Sequence, residues 1–116
     1  MLISVSATLL SLAVAGGLAM GTLHMRRFRV PFAAGLGHAA LATTGIVLLA
    51  FGVVRESQPP TVNSALLCFA LAAVGGLFVL LFRLQGESPP GFMIGLHGTA
   101  AIVALALLWT GILGGA

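Results

Sequence analysis

The formal charges of this chain fall in three short gaps. Arg26, Arg27 and Arg29 lie in the first, Arg55 and Glu56 in the second, Arg83 and Glu87 in the third. Around these gaps run four apolar stretches, each long enough to cross a bilayer core as a helix, for which about 20 residues suffice. A soluble domain of 116 residues spreads charge over its surface; here only 6% of residues are charged and 59% are hydrophobic. Hydrocarbon admits only segments that satisfy their own backbone hydrogen bonds. The pattern therefore predicts an all-α, four-helix transmembrane bundle, with residues 1–116 as one integral-membrane domain. Its helices are expected at about Leu2–His24, Pro31–Val54, Val62–Phe82 and Pro90–Leu113. Pro31, Pro59, Pro60, Pro89 and Pro90 stand at or just before helix starts, where a missing N–H costs nothing.

The arginines also give an orientation. The first and third gaps hold four of them and the second holds one. The positive-inside rule then puts the first and third loops in the cytoplasm and both termini outside, as in a bacterial inner membrane. The first apolar run is expected to be a retained helix, because its basic cluster follows it, whereas a signal peptide carries its charge in front. The basic balance comes from arginines at membrane edges, without dispersed cations and interleaved aromatics, so nucleic acid is excluded as a partner. The single cysteine, Cys68, forms no internal disulfide and is read as a small packing side chain.

An internal repeat is the most specific signal. LAVAGGL (Leu12–Leu18) matches LAAVGGL (Leu71–Leu77) at an offset of 59 residues, and the same offset carries Pro31 onto Pro90, His38 onto His97 and Gly52 onto Gly111. No gap is needed. The expected fold is thus two helical hairpins, one repeat over about 2–54 and one over about 62–113, related by a pseudo-two-fold axis along the membrane normal.

That axis would place His38 and His97 at one depth, roughly 10 Å into helices 2 and 4 from the arginine-loop end. A histidine inside a membrane helix is a functional signal, and two imidazoles from facing helices suit the axial positions of one haem b. His38 and His97 are therefore the expected metal ligands. Counting back from His24 and Arg83 sets Gly16, Gly17, Gly75 and Gly76 at the same depth, where they would clear helices 1 and 3 of side chains beside the macrocycle. Gly35 and Gly95 would do the same beside the ligands. The plainer reading of these glycines is close helix packing. His24, Arg26, Arg27 and Arg83 would meet the haem propionates at the membrane surface; as a plainer role, His24 anchors the interface. A chlorophyll-type pigment, a quinone or proton-transfer site, and a histidine bonded to a neighbouring carbonyl are the other readings of the pair. Met20 is the substitute ligand; Met93, one turn from His97 on the same face, cannot bind opposite it. Trp109 is read as an interfacial anchor.

Other classes are disfavoured by what the apolar runs lack. They hold no carboxylate for a proton-coupled exporter, and the chain has no nucleophilic triad, phosphate loop or carboxylate cluster for a di-metal site. The arrangement resembles, in form, the four-helix b-type membrane cytochromes. The expected function is electron transfer with a quinone, a redox protein or a larger membrane complex, and a homo-oligomer is another possible setting. An accessory or assembly subunit is the first alternative, a small transporter with a histidine proton path the second. A catalytic activity of its own is the less expected outcome.

Overall fold

The computed structural model describes residues 1–114, which form four α-helices: α1 (Leu2–Met25), α2 (Phe32–Arg55), α3 (Pro60–Leu84) and α4 (Gly91–Gly114). All four are long and apolar enough to cross a membrane, the pattern of an integral membrane protein. Pro31 and Pro59 cap α2 and α3 in extended conformations. α3 starts two residues earlier than its apolar run implies, because Pro60 occupies a first-turn position that needs no N–H.

The arginine-loop ends of α1 and α3 close in the same way. Phe28 N–H donates to the Leu23 carbonyl at 2.9 Å and Arg27 N–H to the His24 carbonyl at 3.0 Å; Glu87 N–H donates to Phe82 at 2.9 Å and Gly86 N–H to Arg83 at 3.1 Å. Each is a Schellman turn with its pivot in the left-handed region, Arg27 at φ 62° and Gly86 at φ 75°. Glycine adopts that conformation freely, whereas a side chain there costs about 1–2 kcal/mol.

α1 packs most extensively on α2 and α3 on α4, while α1–α4 and α2–α3 contacts complete a ring. α1 therefore lies diagonal to α3, and α2 to α4, in a bundle measuring 43 × 19 × 18 Å. The buried positions follow helical periodicity: Ile3, Ser6, Leu10 and Ala13 on α1, Val62, Ala65, Phe69 and Ala72 on α3. Gly45, Leu49 and Gly52 on α2 correspond to Ala104, Leu108 and Gly111 on α4. Each of these positions recurs as a buried one 59 residues on, whereas Ala7, also buried on α1, falls on the half-buried Leu66. All of them lie in the half of the bundle that holds the chain termini. No helical residue within Val14–Met25, Phe32–Thr44, Ala73–Leu84 or Gly91–Val103 is buried.

Close approach in the packed half depends on the glycines. A Cβ built at Gly52 would stand 2.5 Å from Ile3 Cδ1, and one at Gly111 would stand 2.5 Å from Val62 Cγ2 and 3.2 Å from the Val62 backbone nitrogen. Trp109 contributes more than an interfacial ring: its Nε1–H donates to Ser11 Oγ at 3.0 Å and ties α4 to α1. Cys68 is half-buried and packs against the core.

At Gly111 the opposing backbone cannot yield, and overpacking of this kind costs about 1–3 kcal/mol. At Gly16 nothing lies within 4 Å of a built Cβ, and alanine gains up to about 1 kcal/mol of helix propensity there. Gly111→Ala is therefore expected to lower the unfolding midpoint in mixed micelles, and Gly16→Ala to hold or raise it.

Candidate functional site

His38 stands seven residues before Gly45, and His97 seven before Ala104, so each prolongs the buried stripe of its helix toward the arginine loops. Because α2 and α4 are diagonal, both rings point across the bundle. Their centres are 6.2 Å apart and their planes stand at 88°.

Each ring rests against a glycine of the neighbouring helix in its own hairpin. A Cβ at Gly17 would lie 2.9 Å from His38 Cε1, and one at Gly76 would lie 2.9 Å from His97 Cε1. Gly75 faces the His97 Cβ at 3.4 Å. The glycine pairs thus share the depth of the histidines, and the room that Gly17 and Gly76 make is taken by the imidazoles themselves. Gly16, Gly37, Gly95 and Gly98 have nothing within 4 Å of a built Cβ. A groove of about 230 Å³ opens between α1 and α2 beside His38, lined by Leu12, Ala13, Gly16, Met20, Ala34, Gly37 and Leu41. Met20 lies on this groove.

The hydrogen bonds set the chemistry of the pair. His97 Nδ1 lies 2.7 Å from the Ala72 carbonyl. A carbonyl only accepts, so Nδ1 carries the proton and the Nε2 lone pair is free to act as a donor. Metal-bound histidines are commonly held this way, with the second ring nitrogen anchored on a carbonyl. Ala13, the counterpart of Ala72, lies beside His38, yet the buried Nδ1 of His38 has no hydrogen-bond partner. His97 thus makes the bond to a neighbouring helix carbonyl that is one of the sequence readings of the pair, with Ala72 as the residue that supplies it. The available signal was the spacing Ala13-x-x-x-Gly17 and Ala72-x-x-x-Gly76, which puts a small residue and its glycine on one helix face.

The geometry bears on what could stand between the rings. Metal–imidazole bonds of about 2 Å on either side of an ion put two ring centres roughly 6 Å apart. Among the described residues no group of three or more His, Cys, Asp or Glu side chains could hold a metal. The two imidazoles alone do not make such a group, and their rings meet in a T-shaped arrangement.

The cationic residues separate into two places. Arg83 reaches back to α2: one guanidinium nitrogen donates to the Val30 carbonyl at 2.6 Å, and the group sits 5.7 Å from the Phe32 ring centre. Its Nη1 lies 3.3 Å from a Cβ built at Gly35, one turn before His38. His24 and Arg27 instead line a separate cavity with Met25, Phe28, Arg29 and Ser88. Arg26 is exposed and lines neither space.

No protein-family model, curated protein or solved structure matches this chain.

The contact at Gly76 gives a local test. In ¹⁵N-labelled protein the His97 imidazole is expected as a single Nδ1–H tautomer by NMR. Gly76→Ala would push the ring off Ala72 and give exchanging tautomers, with little change in helix content by circular dichroism.

Proposed function

We propose that this chain is a small membrane b-type cytochrome, with His38 and His97 as the axial ligands of one haem b. The observation that carries this reading is the opposed pair: two imidazoles from diagonal helices, 6.2 Å between centres, one with its Nδ1 anchored on a carbonyl. The Ala13 backbone beside His38 stands where Ala72 stands beside His97, and supports the same anchoring role for that carbonyl. The bundle is read as a duplicated hairpin with a pseudo-two-fold axis along the membrane normal. Burial and glycine–histidine contacts that recur 59 residues apart support that origin.

Haem would supply a one-electron couple. The protein's part is positional. The Ala72 carbonyl fixes the His97 tautomer and ring plane, and Gly17 and Gly76 let both imidazoles sit close to the neighbouring helices. The open faces at Gly16, Gly37, Gly95 and Gly98 give edges of a flat ligand a path between helices. Arg83, beside Gly35, is the cation best placed for a propionate, in the manner of bidentate arginine–carboxylate pairs. Two strong axial donors leave no coordination position for oxygen, so electron transfer is the assigned chemistry.

With the arginine-rich loops in the cytoplasm of a bacterial inner membrane, the site lies toward that face. One off-centre haem does not span the bilayer, so the reading requires a quinone, a redox protein, a second copy or a larger complex to complete the electron path.

The purified protein is expected to hold one haem per chain, with absorption bands that sharpen reversibly on dithionite reduction. His38→Ala and His97→Ala are each expected to abolish six-coordination, while His24→Ala leaves it intact. A folded, colourless protein that takes up no haem on reconstitution would sink the proposal.

A further inference from the structure

The left-handed pivot at the end of α1 carries an arginine where the equivalent turn of α3 carries Gly86. The fold does not need that side chain, because the α3 turn closes with the same hydrogen bonds without one. What the side chain touches is therefore a separate question from how the turn closes. Arg27 lines an open cavity of about 530 Å³ between the first and third loops, with His24, Met25, Phe28, Arg29 and Ser88.

The lining is a donor set without a counter-charge. It offers two guanidinium groups, an imidazole and a hydroxyl, and among the described residues no ion pair neutralises them. Glu87, the carboxylate of the third loop, does not line the cavity. Arg83 is engaged elsewhere, on the Val30 carbonyl. The cavity lies at the last turn of α1 and in the loops that follow α1 and α3, the ends of helices long enough to cross a bilayer core. Met25 and Phe28, 70% and 61% exposed, give it an apolar margin.

We propose that this cavity binds the phosphate of an anionic phospholipid headgroup. Arg27 and Arg29 take the phosphate oxygens through their planar forks, which suit phosphate better than a point charge does. His24 and Ser88 donate from the sides, and Met25 and Phe28 lie along the upper acyl chains. Basic pockets at the loop ends of membrane helices recognise headgroups in this way. The site shares no residue with the histidine pair, so the proposal does not rest on haem.

The test is lipid retention by the full chain, measured by native mass spectrometry after exchange into nanodiscs of phosphatidylcholine doped with phosphatidylglycerol. The native protein is expected to retain phosphatidylglycerol selectively. Arg27→Gly should fold at least as stably, since glycine relaxes the pivot, yet retain that lipid about tenfold less well. Arg29→Gln should show a similar loss and serves if Arg27→Gly folds poorly. Arg55→Gln, on the opposite loop, should leave retention unchanged. Three results would overturn the proposal: no preference in the native chain, a preference that survives both Arg27→Gly and Arg29→Gln, or an equal loss in Arg55→Gln, the mark of diffuse attraction. Displacement of the lipid by millimolar inorganic phosphate would overturn the lipid assignment and leave a free-anion site.

Discussion

A polar atom inside hydrocarbon can bond only to protein, and that constraint organises this molecule. The hydroxyls of Thr8, Ser11, Thr22, Thr44 and Thr110 each return to a carbonyl one turn back in their own helix. Ser6 does the same over three residues. The Trp109 indole finds Ser11, the Arg83 guanidinium finds Val30 and the His97 ring finds Ala72. Against this background one buried side-chain atom stands out among the described residues, His38 Nδ1. Its neighbour across the bundle is the other intramembrane histidine. The site is therefore marked by polar bookkeeping as well as by residue type.

The bundle divides its labour along its length. Near the termini, Ile3, Leu10, Leu49, Phe69 and Leu108 form a closed core, and Gly52 and Gly111 bring the two helices of each hairpin together. Between lipid-exposed helices such contact is the main source of association, since apolar burial from lipid gains little. Toward the arginine loops that packing stops, and the interior-facing positions pass to glycine, alanine and histidine. Stability and site thus occupy different segments of the same four helices, so alteration of small residues around the imidazoles leaves the closed core untouched.

Much of this was legible in the sequence, and for identifiable reasons. Charge confined to three gaps defined four helices, and the prolines marked their starts to within two residues, because a missing N–H is harmless only there. The constant offset between the Gly-Gly pairs and the histidines predicted a shared depth, which the contacts of Gly17 and Gly76 display. Hidden from the sequence were features that depend on how far a side chain reaches. Nothing in the residue string says that Arg83 turns back to Val30 while Arg27 lines another space, or that the glycines make room for the rings before any macrocycle. The left-handed pivot at Arg27 was hidden for a further reason: glycine signals such a turn, and at this end of α1 the glycine is missing.

The diagonal placement of α2 and α4 has a thermodynamic consequence. Neither hairpin contains both histidines, so half of the chain has half of the donor set. Any ligand that engages both imidazoles binds only the docked arrangement and adds its binding free energy to hairpin association. Occupancy of the site and assembly of the bundle are then two readings of a single equilibrium.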